Sequence, residues 1–347
     1  MPHPADPAVA APKRDHPPCA GPKRDHTPCA GPRRRAPAAR RGAAMLVLTW
    51  VAASACAAEA PWWPSEWGAD DQRGSANRVT PERVLAALRL AREGRIYPIG
   101  QPYEADMPIW GQRSFQLTIP QADVPPSTNH LTAHLDYVSG ELGQVGTQLD
   151  GLGHVGIGDR YYNGHDRRDF ARRGGLTRLG IEHAGAFITR GVLIDVAAYK
   201  GVQRLESGYE VSAEDLEGAL KRQGLELREG DSVFLRTGWS QLWKRDNTAY
   251  NAGAPGWGPT ACEWLVARKP ALTGCDTWGC DVVPNPSDPH LLFPCHQIMG
   301  TRAGIYNLEN MNLEQLSQDG VHEFLFIMAP LPLKGASGSP AAPLAVR

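Results

Sequence analysis

The run Gln144-Val-Gly-Thr-Gln-Leu-Asp-Gly-Leu-Gly-His154 constrains this chain more than any other stretch. Its glycines let the backbone pass close to another group, because they carry no Cβ to obstruct the approach. Between them stand acceptor-rich side chains: Gln144, Gln148 and Asp150, with His154 four positions beyond Asp150. Hard oxygen donors and an imidazole converging on one point are the chemistry of a divalent-metal site. Each residue alone has a plainer reading. Asp150 can cap a turn, the glutamines can hold backbone, and His154 in Leu-Gly-His-Val can be a satisfied core histidine. Their shared placement around Gly146-Thr147, together with His296 and Glu309 further along, lifts the pattern above those readings.

A chain of 347 residues holds one large domain or two small ones. Hydrophobic residues at 42% and charged residues at 21% suit a soluble enzyme with a sizeable core. A formal net charge of -1 gives no bulk electrostatic case for nucleic acid or an anionic membrane.

Residues 1–44 depart from that average. They are rich in Pro, Ala and Arg, and the stretch Pro12–Gly21 returns almost unchanged as Pro22–Gly31. Such a segment cannot bury a core, and two copies are too few for a repeat fold, so disorder is expected. Met45 is an alternative start. Residues 45–60 read as a signal peptide: Arg40-Arg41 precede an apolar run, and Ala55-Cys56-Ala57 supplies a small-residue cleavage site. The run is short for a membrane span. Cys56 offers a lipid anchor, although Ala53 stands where leucine is usual. A periplasmic or secreted protein is expected, or a cytoplasmic one if translation starts downstream.

Four of the seven cysteines lie in the remaining chain: Cys262, Cys275, Cys280 and Cys295. Cys275 and Cys280 are close enough to pair in an oxidising compartment. No Cys-x-x-Cys occurs, which leaves a zinc ribbon unsupported. Cys295 beside His296 invites a catalytic dyad. Neighbours in a strand point to opposite faces, which favours a structural cysteine.

Thr80-Pro81-Glu82 opens a helix, with Thr80 as N-cap, Val84, Leu85, Leu88 and Ala91 as apolar stripe, and Gly94 as its end. Ser212 caps a second helix that runs to about Gly224, and Pro259–Ala267 has helical period. Gly191–Val196 and Ser232–Thr237 read as short buried strands, and Val321–Met328 as a late hydrophobic strand. Neither a phosphate-binding glycine loop nor a dinucleotide fingerprint is present. Without a long polar linker, residues 61–347 are expected to form one α/β domain with an N-terminal arm.

The motif run resembles the His-x-Gly-Thr-His-x-Asp-x-Pro-x-His signature of the cyclase family, which includes bacterial kynurenine formamidase, isatin hydrolase and trans-dienelactone hydrolase. The resemblance extends over residues 61–347. Trp67-Gly68, Gly74–Asn77, Thr80-Pro81, Tyr162–Gly164, Gly191–Asp195, Gly230-Asp231, Arg236–Trp239, Gly274–Asp276, His296, Glu309-Asn310 and Gly338–Pro340 follow in the family's order. It implies a swivelling β/β/α-type domain with a mixed sheet. It implies metal ligands at Gln144, Gln148 and Asp150, completed by His296 and Glu309, with proton transfer at His154. Both early family histidines are glutamine here and the motif proline is Leu152. An amide oxygen is a harder and weaker ligand than imidazole, which either moves preference from zinc toward manganese or weakens binding outright.

The expected cofactor is therefore a divalent ion, Mn or Zn, and the expected chemistry is hydrolysis of an amide, aryl formamide or lactone carbonyl by metal-activated water. A homodimer or homotetramer is implied by the resemblance. A binding protein on the same scaffold is the alternative. A serine hydrolase lacks its Gly-x-Ser-x-Gly elbow here. His130 and His134 form an alternative metal pair, and Trp110 and Trp239 are candidates for the pocket wall or the core.

Overall fold

Apolar runs too short for helices build a nine-stranded sheet in the computed structural model, which describes residues 61–120 and 125–347. The Pro- and Arg-rich repeat, the signal-peptide segment and Cys19, Cys29 and Cys56 lie outside the described residues. The strands are β1 (Ile96–Pro98), β2 (Gln148–Asp150), β3 (Phe187–Asp195), β4 (Ser232–Arg236), β5 (Leu272–Cys275), β6 (Tyr306–Glu309), β7 (Glu323–Met328), β8 (Gly338–Pro340) and β9 (Leu344–Val346). Their spatial order is β1-β9-β7-β3-β4-β5-β6-β2-β8. The neighbours from β3 to β6 run parallel, and the flanking pairs on both sides are antiparallel. The sheet is thus mixed and open, within an α/β fold.

Period-two alternation sends each central strand into two cores. Leu193, Phe234, Leu272, Phe324 and Phe326 face one core, which also contains Leu149 and Leu308. Val192, Ile194, Val233, Leu235 and Cys275 face the other. Burial on both faces is why these strands read as continuous apolar runs. The second core is covered by α2 (Ala213–Gln223) and α3 (Pro259–Ala267), which present Leu216 and Ala219 and, from α3, Ala261, Cys262 and Leu265. Ser212 accepts from Asp215 N and Asp215 reaches back to the cap, so α2 starts on a reciprocal capping box. Gly224 ends it in the left-handed region at φ 68°.

The helix that opens at Thr80 is shorter than its sequence pattern predicts. Thr80 accepts from Arg83 N and caps α1 (Pro81–Leu88), but the helix stops at Leu88 rather than near Gly94. Only Ala87 is buried, while Leu85 and Leu88 remain exposed. The helix rests on the sheet through its small residue, so its larger side chains turn outward. The expected strand at Gly191 begins earlier, at Phe187, and that at Val321 begins at Glu323. Among the described residues no helix is long and apolar enough to cross a membrane.

Candidate metal centre

The centre begins with the alternation in Gln148-Leu149-Asp150. In β2 these residues place Leu149 in the core and leave Gln148 and Asp150 on the opposite face. Strand β6 pairs antiparallel with β2 in the register Asn307↔Asp150, Leu308↔Leu149 and Glu309↔Gln148. Directly opposed residues share a face, so Gln148, Asp150, Asn307 and Glu309 form one polar patch. Gln148 Nε2 donates to Glu309 Oε2 at 2.9 Å and Asn307 Nδ2 donates to Glu309 Oε1 at 2.9 Å. The neighbouring Gly146-Thr147 serves the backbone: Thr147 Oγ1 accepts from Gln101 N and donates to Asn310 O, both at 2.7 Å. A Cβ on Gly146, at φ 61°, would lie 2.8 Å from the Tyr103 ring.

His296 comes to the same face from a distant segment, whose Cys295 and Met299 belong to the second core. It opens a π-helical turn, His296–Arg302, rather than lying in a strand as expected. Its Nε2 lies 3.3 Å from Asp150 Oδ2 and 3.2 Å from Glu309 Oε1. Its Nδ1 faces Asp281 Oδ2 at 2.6 Å. Asp281 Oδ1 in turn accepts from Cys295 N at 2.7 Å. A carboxylate behind an imidazole fixes the ring's orientation and tautomer and leaves Nε2 free for a cation. Two disulfides fasten the same segments. Cys262–Cys295 ties α3 to the residue before His296, and Cys275–Cys280 closes the loop before Asp281. Cys295 is therefore structural, and Cys275 and Cys280 pair as the sequence allows.

Asp150, His296 and Glu309 each offer an atom within 4.8 Å of the others, all three buried. Burial pushes the Glu309 carboxyl up, and the charge of Asp150 adds to that, to about 8. Burial acts the same way on Asp150, yet its interactions with the neighbouring His154 and His296 hold it below its usual value. For His296, burial opposes protonation, but Asp150, Asp281 and Glu309 outweigh it and raise the imidazole well above its ordinary range. Two facing carboxylates in a dry site cannot both ionise cheaply without a cation. Gln148 Oε1 and Asn307 Oδ1 are also buried without a partner. Donor chemistry, excess negative charge and unpaired oxygens together fit a divalent ion held by Asp150, His296 and Glu309.

A cleft opens onto this centre. Trp110, Trp278 and Phe293 form its aromatic wall, and Gln144, Gln148, His154, His296 and Glu309 its polar side. Trp110 stacks on Trp278 at 4.8 Å, and Trp278 Nε1 donates to Gly253 O. The His154 and His296 rings are 6.3 Å apart, which leaves room for a reacting atom between them. Burial lowers the His154 pKa, with Asp150 opposing and His296 and Arg113 reinforcing, so a neutral imidazole faces the cleft.

The structure thus gathers all six sequence-derived candidates around one cleft and its floor. Gln144 and Gln148 turn their Nε2 atoms toward the carboxylates, Gln144 at a long 3.5 Å from Asp150 Oδ1. Trp110 lines the cleft, whereas Trp239 is buried in the core with Trp243 and Tyr250. His130 and His134 are exposed and separate from the centre. Sequence reasoning missed Asp281, Trp278 and Phe293. The Cys280-Asp281 and Cys295-His296 pairs hint at two clamped loops, but nothing local points Asp281 at the imidazole. Asp276 is not part of the centre; it accepts from Thr237 N, Thr237 Oγ1 and Gly238 N and shapes that turn.

A convergent Asp–His–Glu centre at a cleft in this fold defines a metal-dependent hydrolase. The chain belongs to the cyclase family, whose model, Cyclase, matches residues 97–282. A crystal structure described as a novel cyclase is 33% identical, with 81% of this chain and 98% of that chain covered and a TM-score of 0.74. Isatin hydrolase A from Ralstonia solanacearum is 25% identical over 78% of this chain and 99% of its own, with a TM-score of 0.56. Isatin hydrolase A from Labrenzia aggregata, bound to benzyl benzoate, shares the fold at 23% identity, 72% and 93% coverage and a TM-score of 0.54. No curated protein matches the chain.

Proposed function

We propose that this protein hydrolyses the carbonyl of a cyclic amide, a lactone or an aryl formamide attached to a planar ring. The observation that carries the reading is the buried Asp150–His296–Glu309 cluster at the foot of a cleft walled by Trp110, Trp278 and Phe293. Similarity to isatin hydrolases supports a planar cyclic amide. A bound divalent ion, Mn or Zn, would lower the pKa of water and polarise the carbonyl. Asp150 and Glu309 supply oxygen and His296 supplies Nε2, oriented by Asp281. Gln144 and Gln148 either add amide oxygens or, as placed, brace the carboxylates with their nitrogens.

His154, neutral and facing the cleft, takes the proton from the attacking water and returns it to the leaving nitrogen or oxygen. Among the described residues its side chain makes no hydrogen bond, which leaves both ring nitrogens available for that exchange.

Metal content and hydrolysis measured together test the assignment. Asp150→Ala loses both, whereas His154→Ala keeps the metal and loses about 10²–10⁴-fold in turnover. Full activity in either variant removes that residue from its role. Metal occupancy in the wild type with no turnover of any amide, formamide or lactone would favour the binding-protein reading, toward which the two glutamines point.

An oxidising compartment, the periplasm or the exterior, is part of the same proposal. The two disulfides support it, since such bonds persist outside the reducing cytoplasm. Four free thiols at these positions in protein from its native compartment would refute it. A homodimer or homotetramer is supported by the exposed Leu117, Tyr137 and Val138 on the hairpin Phe115–Thr118/Tyr137–Gly140. A single-chain mass by light scattering would count against that.

A further inference from the structure

The cleft contains one cationic side chain that the hydrolytic chemistry above does not use. Arg113 lies at its mouth, half-buried, beside Gln144, His154 and Glu309. Its guanidinium sits 5.3 Å from the centroid of the Trp110 ring, whose stacking partner is Trp278. An aromatic face orients a guanidinium while leaving its N–H fork free to bind in the ring plane. Among the described residues Arg113 makes no ion pair and no side-chain hydrogen bond, although carboxylates crowd the cleft floor.

The geometry of the cleft says what that fork awaits. The Arg113 charge reaches Glu141 beside it and His154 and Glu309 on the floor, yet its guanidinium forms an ion pair with none of them. A planar fork held on an aromatic face at the cleft matches a carboxylate with two parallel hydrogen bonds.

We propose that Arg113 is a specificity residue that binds a carboxylate carried by the substrate, so that the preferred substrate is an anionic planar amide, formamide or lactone rather than a neutral one. This rests on the hydrolase reading for the word substrate, but the binding claim stands without turnover. The aromatic wall accepts the ring, Arg113 holds the acidic substituent, and the scissile carbonyl is left to the floor between His154 and His296.

Calorimetric titration of the full-length, manganese-loaded protein with benzoate and with neutral benzamide tests the proposal. The wild type is expected to bind benzoate about tenfold more tightly or better, the usual size of a charge-assisted pair. Arg113→Met, checked for an unchanged melting temperature, should erase that preference, and Arg113→Lys should restore part of it. A preference that survives in Arg113→Met would put the anion on the metal and overturn the proposal, as would a wild type that does not distinguish the two probes or binds neither.

Kinetics add a second readout if turnover is found. Arg113→Met should raise KM for a carboxylated aryl lactone and leave its uncharged counterpart unchanged. An equal fall in kcat for both would place Arg113 on the reacting oxygen instead, and would also overturn it. Absence of turnover on every acyl compound would defeat the hydrolase reading while the benzoate preference remained measurable.

Discussion

Replacing Cys262 and Cys295 together by alanine isolates the bridge that anchors the metal-binding histidine. The two cysteines are separated by 33 residues, and both are fully buried. In the chain-entropy account, a loop of that length restricts the unfolded chain by about 12.5 cal/mol/K, or about 3.7 kcal/mol at 25 °C. In a folded unit of this size, each kcal/mol moves the melting temperature by about 2 °C, so a fall of about 7 °C is expected. Cys275–Cys280, with a separation of only 5, stays intact in the variant. Its entropic share is about 2 kcal/mol by the same relation, so added reductant should lower the variant further, but by less.

Calorimetric melts of the metal-free wild type and variant, with and without reductant, would measure both steps. The bridge also fixes the backbone one residue before His296, and Cys295 N donates to Asp281. Metal affinity should therefore fall along with stability. A variant melting within about 2 °C of the wild type would refute the loop argument. A large melting shift with unchanged metal affinity would show that Asp281 alone positions the imidazole.

Two further predictions concern the same segment. Asp281→Asn removes the anion behind His296 while keeping its shape, and should weaken metal binding by about 10–100-fold at a near-normal melting temperature; competition against a chelator measures it, and wild-type affinity in the variant refutes the positioning role. Metal uptake should also release protons. Glu309 holds its proton up to about pH 8 and His296 holds one beyond the ordinary histidine range, yet both must lose them to act as ligands. Apparent affinity should thus climb between about pH 6 and 8, by tenfold or more per pH unit. Calorimetry in two buffers of different ionisation enthalpy counts the protons, and pH-independent affinity would refute the assignment. The sign for stability follows from the raised Glu309 value: its contribution to the metal-free protein is present at acid pH and is lost as pH rises from 4.5 through about 8.

Much of the candidate centre was legible because it depends on local order. The alternation Gln148-Leu149-Asp150 already separates a polar face from a core face, and β2 uses it that way. Thr80 and Ser212 cap their helices because a side-chain oxygen satisfies a free backbone N–H within the first turn. Asp150, His296 and Glu309 were identified from a resemblance that spans the domain, and the fold brings them together. Legibility stopped where the partner is distant or where exposure decides. The outward Leu85 and Leu88 follow the helical period but have no surface to cover them. Trp239 and Trp110 look alike as sequence, yet one is buried in the core and the other walls the cleft.

The amino-acid sequence by itself determined which residue types are available for a hard-metal site, the alternation that aims them, and the helix starts that flank them. Those are properties of neighbours a few bonds apart. Only the tertiary structure decided that Glu309 faces Gln148 across β6 and β2, that Asp281 stands behind His296, that Cys262 bonds to Cys295, and that Arg113 is left unpaired at the mouth. Each of these depends on sheet register or loop closure between distant segments. That register is set by which apolar faces can be buried together, a condition on the whole chain rather than on any one motif.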